Sequence, residues 1–104
     1  MEPNMTIIEL VQFKLQPGTS DANFLAAAEE AQTGFLEGFE GFIKRELWKD
    51  EAGQWVDLIY WTTNEAAQNS IQQFVSHPST QHFMALIQPD SMTAFHYTQV
   101  KSFS

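Results

Sequence analysis

Residues 42–62 read FIKRELWKDEAGQWVDLIYWT, and the rest of the fold can be worked out from them. Two runs rich in aromatic and aliphatic residues, 42–49 and 55–62, flank a short segment of acids and glycine at 50–53. Such a segment between two apolar runs is typical of a hairpin loop, because aspartate and glycine tolerate the backbone angles of a tight turn. This stretch therefore predicts two neighbouring antiparallel strands.

A helix is predicted on each side of the hairpin. The first begins after a capping residue at Thr19 or Ser20, and the second after Thr63 or Asn64. Their apolar stripes are Phe24, Ala28, Ala31 and Phe35 in the first helix, and Ala67, Ile71, Phe74 and Val75 in the second. Glycines in GFLEGFEGF (34–42) end the first helix, and we expect Gly38 to be its left-handed cap.

Two outer strands complete the pattern. The run TIIELVQFKL at 6–15 ends at a Gln-Pro-Gly turn, and residues 92–100 alternate loosely near the end of the chain. Pro78 interrupts the second helix, and a short helix at 83–87 follows. The order β-α-β-β-α-β is that of the ferredoxin-like fold, an α+β class with a four-stranded antiparallel sheet. We expect one domain over residues 1–104.

The composition predicts a dimer. Hydrophobic residues make up 43% of the chain and charged residues 17%, with nine Phe and three Trp among them. Two helices can cover one face of the sheet, yet the strands at 6–15 and 55–62 carry apolar residues on both faces. Because an uncovered apolar face is typical of an interaction site, we expect a second copy to pack against it as a homodimer.

Charge and cysteine content exclude several functions. Thirteen acidic residues against five basic ones give a net charge of −8, which repels nucleic acid. The absence of cysteine excludes disulfides, thiolate catalysis and zinc–cysteine sites. The first residues, MEPNMT, lack the features of a signal peptide, and no apolar run approaches the roughly 18 residues of a membrane span. We therefore expect a cytoplasmic protein that binds neither nucleic acid nor membrane.

Two of the three histidines, His77 and His82, lie around a proline in SHPSTQHF (76–83). They are five positions apart rather than the four that place two ligands on one helix face, and no Asp or Glu lies between Glu65 and Asp90. We expect no metal site here. His77 is interpreted mainly as a capping or surface residue where the helix restarts.

Three stretches, IIELVQFKLQPGTS (7–20), DLIYWTTNEAA (57–67) and FVSHPSTQHFMALI (74–87), resemble the dimeric α+β barrel superfamily. The first and third are similar to its stress-responsive barrel group, which includes a plant polyketide cyclase of the olivetolic acid type. The middle stretch is similar to its antibiotic-biosynthesis monooxygenase group. The resemblance implies a homodimer with one pocket per subunit between sheet and helices, and no cofactor.

The sequence departs from the cyclase-type members at three functional positions. Those members carry a histidine on the first strand and a Tyr-x-x-His-Pro-x-His motif at the helix break. Here Glu9 stands at the position of the first-strand histidine, Phe74 at that of the tyrosine, and Thr80 at that of the final histidine. The middle histidine is retained as His77. Phenylalanine has no proton to donate, so the cyclase mechanism does not transfer. His82 is a poor substitute, because two residues along a helix turn a side chain through about 200°.

The resemblance to the monooxygenase group implies a pocket that binds an electron-rich phenol or quinol and helps to remove its proton. Trp61 and Tyr60 are the counterparts of the aromatic residues in such pockets. The heme-degrading members combine a first-strand Asn with a Trp and a helix His. Glu9 and the long spacing from Trp61 to His77 do not match that set.

Glu9 is the first candidate for catalysis, because it lies in an apolar strand in line with Ile7, Val11 and Phe13. If helices cover that face, burial raises the pKa of its carboxyl and makes it a base. The alternative is an ion pair with Arg45 or Lys44. His82 is a reserve catalytic candidate. The expected ligand pocket contains Trp61, Tyr60, Phe74, His77 and Thr80.

Two further polar residues, Asp57 and His96, each have two possible interpretations. Asp57 lies in line with Trp61 and could share a cavity with it, but an exposed position near the hairpin is expected. His96 could point into the barrel, and the default expectation is a core histidine with its hydrogen bonds satisfied.

The functional expectation is a protein that binds a small aromatic or polyketide-like molecule; whether it also transforms the molecule, as a monooxygenase-like or cyclase-like enzyme, is left open by the sequence. The alternative is a non-enzymatic, stress-associated or structural dimer whose pocket is filled by its own side chains. Heme degradation is a third and weaker hypothesis. Fold alone does not choose between them, since one fold supports many chemistries.

Overall fold

The computed structural model describes residues 6–104, so most of the MEPNMT segment lies outside the described residues. Its strands are β1 (Ile7–Phe13), β2 (Phe42–Lys49), β3 (Trp55–Trp61) and β4 (Thr93–Thr98). Its α-helices are α1 (Asp21–Ala31), α2 (Asn64–Phe74) and α3 (Gln81–Ala85), joined by a π-helical turn (Gln32–Leu36) and two 3₁₀ turns (Pro78–Thr80 and Pro89–Ser91). The predicted order β-α-β-β-α-β is confirmed.

The four strands form one antiparallel sheet in the order β2-β3-β1-β4. β1 is central, and its Glu9 lies opposite Ile59 of β3 on one side and opposite His96 of β4 on the other. Side chains alternate between faces along a strand, so residues directly opposite one another share a face. The face that contains Glu9 is buried beneath the helices.

The helices begin where their sequences predict. The Ser20 hydroxyl accepts a hydrogen bond from the backbone N–H of Asn23 at 3.1 Å, and Thr63 does the same for Ala66 at 3.0 Å. These caps satisfy backbone donors that the first turn leaves free. The predicted stripe of the first helix is buried throughout: Phe24, Ala28, Ala31 and Phe35. The predicted stripe of α2 is buried at Ala67 and half-buried at Ile71 and Phe74, but the prediction is wrong for Val75, which follows the end of α2 and is 58% exposed.

The left-handed glycine after the first helix is Gly41, not Gly38. Gly41 has a φ of +92°, whereas the backbone of Gly38 stays at negative φ. The π-helical turn, in which the N–H of Glu37 donates to the carbonyl of Gln32 at 2.9 Å, ends the helix without a left-handed residue. The chain reverses only at Gly41, beside the first turn of α2, where a Cβ would lie 2.5 Å from that of Ala66.

The SHPSTQHF segment is a break and restart between helices, as predicted. Helix α2 ends at Phe74, and the backbone N–H of Ser79 donates to Nδ1 of His77 at 3.1 Å. Pro78 occupies the first position of the 3₁₀ turn, where its missing N–H costs nothing. His77 is therefore the cap of this turn.

No helix within residues 6–104 covers the second face of the sheet. Phe95 and Tyr97 stack there with ring centroids 6.4 Å apart and are 39% and 52% exposed, and Trp48 is 58% exposed. Within residues 6–104, no helix combines the length and apolarity needed to cross a membrane.

Candidate functional site

A cavity of about 140 Å³ lies between the covered face of the sheet and the helices. Its walls are mainly apolar and are formed by Glu9, Val11, Phe13, Asp57, Ile59, Ser70, Ile71, Phe74, Val75, Phe83, Met84, Ile87, Met92 and Ala94. An apolar cavity of roughly 150 Å³ can hold benzene. The space therefore fits one aromatic ring.

Glu9 contributes a carboxyl group to the wall of this cavity. The residue is 7% exposed, and the indole N–H of Trp61 donates to its Oε1 at 3.1 Å. Burial raises the pKa of Glu9 to about 7; the Trp61 hydrogen bond and the Arg45 charge lower the pKa, while the Asp57 charge raises it. Among the described residues, no side chain or backbone group donates a hydrogen bond to Oε2. Near neutral pH this carboxyl group can both hold and release a proton.

Asp57 and Arg45 form a buried ion pair next to Glu9. Nε and Nη2 of Arg45 donate to the two carboxylate oxygens of Asp57 at 2.9 and 2.8 Å, and Nη1 donates to the carbonyl of Ala28 at 2.8 Å. Both side chains are 5% exposed. The expectation that Asp57 is exposed is wrong, because Asp57 occupies a covered-face position. Of the two alternatives for Glu9, the ion pair with Arg45 is not formed, since Arg45 pairs with Asp57 across the β2–β3 hairpin.

Several solved structures have a similar fold. A variant of SnoaB, a cofactor-independent oxygenase from Streptomyces nogalater, superposes with a TM-score of 0.71 at 18% identity, over 93% of this chain and 95% of that one. A proposed antibiotic biosynthesis monooxygenase from Bordetella bronchiseptica gives 0.76 at 16% identity, over 92% and 98% of the two chains. The fold is that of the antibiotic-biosynthesis monooxygenase-like proteins.

The expected fold is thus confirmed. A third protein of this kind, from Caulobacter crescentus, is 12% identical with a TM-score of 0.69, over 92% of this chain and 91% of that one. No family model matches the sequence, and no curated protein does.

Trp61 and Tyr60, the aromatic pair expected from the monooxygenase-like fold, lie on opposite faces of the sheet. Trp61 is fully buried, packs edge-on against Phe42 with ring centroids 5.9 Å apart, and reaches the cavity only through its hydrogen bond to Glu9. The Tyr60 hydroxyl donates to Glu46 at 3.2 Å on the other face. Tyr60 therefore does not line the cavity, because adjacent strand residues point in opposite directions.

Among the predicted residues from the helix break, only Phe74 lines the cavity. The Thr80 hydroxyl is buried and donates to the carbonyl of Phe74 and, at 2.9 Å, to that of His77. His77 packs on the ring of Phe35 at 4.9 Å. His82 is exposed, with Nδ1 3.3 Å from the carboxylate of Glu30. This position removes His82 from the cavity and from the role of reserve base there.

His96 differs from its default expectation of a satisfied core histidine. It is half-buried on the covered face, and its Nε2 is buried without a hydrogen-bond partner among residues 6–104. Its position opposite Glu9 depends on the register between β1 and β4, and this register could not be predicted from the sequence pattern. In the described part of the chain, no group of three or more His, Asp or Glu side chains is placed to hold a metal ion.

Proposed function

We propose that this protein binds a small aromatic molecule with one ring and an acidic hydroxyl, and that Glu9 removes the hydroxyl proton as the first step of a cofactor-independent oxygenation. The observation that carries the proposal is the Glu9 carboxyl group, buried in the wall of an apolar cavity with a pKa of about 7. A general base works best when its pKa is close to the working pH.

The chemistry requires no external reductant. A phenol has a pKa of about 10, so transfer of its proton to Glu9 is uphill by about 4 kcal/mol, a small part of a catalysed barrier. Removal of the proton leaves an electron-rich anion that molecular oxygen can oxidise. In overall balance, one phenol and one dioxygen molecule give one quinone and one water. One oxygen atom replaces two hydrogens of the phenol, which leave with the other oxygen atom as water. The shared fold with SnoaB, described as a cofactor-independent oxygenase, supports this reaction class.

The size and lining of the cavity favour this reaction over a polyketide cyclisation. A partly open space of about 140 Å³ fits one ring, whereas a linear polyketide needs a larger cleft. At the cyclase-type positions Phe74 has no proton to give, and the Thr80 hydroxyl is already bonded to two backbone carbonyls. The cavity also speaks against a protein whose pocket is filled by its own side chains.

We also propose that the protein works as a homodimer, with the uncovered sheet face against a second copy. The support is the exposed aromatic surface at Trp48, Phe95 and Tyr97 on a face that the helices leave open. Burial of such side chains contributes about 1.5–3 kcal/mol each. The cavity lies on the other face, so each subunit would hold its own ligand.

The test is oxygen consumption and quinone formation with a panel of single-ring phenols and hydroquinones. We expect Glu9→Gln to reduce turnover by a factor on the order of 100 to 10,000, because the amide has no basic oxygen, while binding of an uncharged ring is retained. Glu29→Gln, an exposed carboxylate on α1, is the matched control and should retain full turnover. Unchanged turnover in Glu9→Gln would show that Glu9 is not the base. If none of the panel binds to the wild-type protein, the proposed ligand class is wrong.

A further inference from the structure

Among residues 6–104, three polar side chains line the cavity: Glu9 and Asp57 on the sheet, and Ser70 on α2. Both carboxylate oxygens of Asp57 accept hydrogen bonds from Arg45, and Glu9 is the base of the proposed reaction. Ser70 is the third polar group of the cavity wall, and the proposed function gives it no role.

Ser70 is buried on the face of α2 that turns towards the sheet. The residue is only 3% exposed, and Ile71, Phe74 and Val75 continue the same wall of the cavity. Its hydroxyl is thus a single polar group in a wall that is otherwise apolar along the helix. Buried polar groups in native proteins almost always have a hydrogen-bond partner, so the partner of this hydroxyl has to be identified.

The partner is not found within the described chain. A serine or threonine in a helix can donate to the carbonyl four residues earlier. Thr33 makes this bond to Glu29 at 3.1 Å, but Ser70 makes no side-chain hydrogen bond to any group in residues 6–104. Its Oγ is also not one of the fully enclosed unpaired atoms of this region, which are Oε1 of Gln32 and Nε2 of His96. Oγ of Ser70 therefore keeps accessible surface, and because the residue lines the cavity, that surface faces the cavity.

Glu9 and Ser70 belong to opposite walls of the cavity. Glu9 is on the central strand β1, and Ser70 is on α2, which covers that face of the sheet. In a space that fits one ring, a ring that brings a hydroxyl to Glu9 also contacts the helix wall. If that edge of the ring is apolar, the Ser70 hydroxyl loses water and gains nothing in return, which disfavours binding. An oxygen substituent there supplies the missing partner.

We propose that Ser70 is the specificity-determining residue of the cavity: its hydroxyl forms a hydrogen bond with a second oxygen substituent of the ring, so dihydroxybenzenes are selected over rings with an apolar group at that position. This inference rests on the proposed function and deepens it by naming the substrate class. The ring carbon that receives oxygen must carry a hydrogen, so the second substituent occupies a different position. In overall balance, one resorcinol and one dioxygen molecule give one hydroxyquinone and one water, as for phenol.

The experiment compares resorcinol with 3-methylphenol, two rings of similar size that differ only in the second substituent. Dissociation constants are measured by NMR titration for the wild-type protein, Ser70→Ala and Gln72→Ala, an exposed position on α2 that serves as the matched control. We expect Ser70→Ala to weaken resorcinol binding on the order of tenfold and to bind 3-methylphenol at least as tightly as wild type, within about twofold. Gln72→Ala should bind both rings as wild type does. Catechol and 2-methylphenol give the same comparison for the adjacent ring position, and the preference should change in at least one of the two pairs.

The outcomes separate this inference from the proposed function. If the rings bind to the wild-type protein and Ser70→Ala changes the preference in neither pair, the role of Ser70 is overturned and the ligand class stands. Equal weakening of both members of a pair would show that Ser70 only shapes the cavity, and would also overturn it. If none of these rings binds to the wild-type protein, the proposed function fails as well.

The stability of Ser70→Ala tests the unpaired hydroxyl without any ligand. Removal of a hydroxyl that has no partner breaks no hydrogen bond, and alanine favours a helix more than serine does. We therefore expect the variant to unfold at the same urea concentration as the wild-type protein or at a higher one. A clearly lower midpoint would reveal a partner for the hydroxyl within the protein and would contradict its role in binding a ligand.

Discussion

Glu9 and Asp57 are both buried carboxyl groups, yet their surroundings give them different chemistry. Asp57 receives two charged hydrogen bonds from Arg45, so its charge is compensated within the fold. Glu9 receives one neutral hydrogen bond from Trp61, and burial raises its pKa to about 7. A buried carboxyl group with weak compensation is the kind of group that active sites use as an acid or a base. Asp57 is therefore held in an ion pair, whereas Glu9 has a single neutral hydrogen bond.

The raised pKa of Glu9 predicts a pH-dependent stability. Below about pH 4.5 the residue is protonated in both the folded and the unfolded protein, and above about pH 7 it is ionised in both. Between these values only the folded protein holds the proton, so the contribution of Glu9 to the free energy of unfolding falls as the pH rises. Over this range the loss is about 3 kcal/mol.

Urea unfolding of the wild-type protein and Glu9→Gln across this pH range measures the effect. We expect the variant, which mimics the protonated form, to gain stability relative to wild type as the pH rises towards about 7. Glu29→Gln serves again as the exposed control and should follow wild type. A constant difference between wild type and Glu9→Gln at every pH would contradict the raised pKa.

Among the secondary-structure elements, the packing of the segment after the helix break depends on a close contact between two turns. The π-helical turn Gln32–Leu36 packs against the 3₁₀ turn Pro78–Thr80, which leads into α3. Gly34 makes this possible, because a Cβ at that position would lie 2.2 Å from Oγ and 2.5 Å from Cβ of Ser79. The contact holds the segment that carries Phe83 and Met84 over the cavity.

Gly34→Ala is therefore expected to destabilise the protein by about 1–3 kcal/mol, although alanine is normally favoured over glycine in a helical segment. Gly38→Ala is the matched control, since a Cβ there meets nothing within 4 Å and should be neutral or mildly stabilising. Denaturant unfolding monitored by tryptophan fluorescence gives both values. Equal stability of the two variants would show that the turns can separate without cost. Adding Ser79→Gly to Gly34→Ala should recover part of the loss.

At the scale of the whole molecule, the two faces of the sheet have different roles. The covered face contains the cavity, Glu9 and the buried ion pair, whereas the open face contains exposed aromatic rings with Lys44 and Glu46 nearby. A net charge of −8 makes association of copies unfavourable unless apolar contact outweighs the repulsion. The proposed dimer therefore depends on the apolar side chains of the open face.

Phe95→Lys is expected to convert the dimer to a monomer, as measured by light scattering coupled to size-exclusion chromatography. The lysine makes the net charge less negative, so weaker association would follow from the lost apolar contact and not from added repulsion. Leu25→Lys, an exposed apolar residue on α1, is the control and should remain dimeric. A wild-type protein that is monomeric at micromolar concentration, or a dimeric Phe95→Lys, would contradict the proposed interface.

The elements of this protein and their order can be predicted from local sequence patterns. Apolar residues at a period of two predict the strands, apolar residues at helical spacing predict the helices, and Pro78 predicts the helix break. These signals depend only on near neighbours along the chain. The same alternation placed Glu9 on one face with Ile7, Val11 and Phe13. One local prediction was wrong: the left-handed glycine is Gly41 and not Gly38, because the sequence pattern does not reveal the π-helical turn.

Contacts between side chains that are distant in sequence could not be predicted, because they depend on the packing of the folded chain. Arg45 could have paired with Glu9 or Asp57, and the hairpin register together with the carbonyl of Ala28 selected Asp57. His96 lies opposite Glu9 because β4 pairs with β1, far away in sequence. The face covered by helices, and hence the burial that raises the pKa of Glu9, also follows from packing. Local sequence determines the spacing of apolar residues along each element and the face on which they lie. Charge pairing and desolvation depend on distances between residues that only the folded chain brings together.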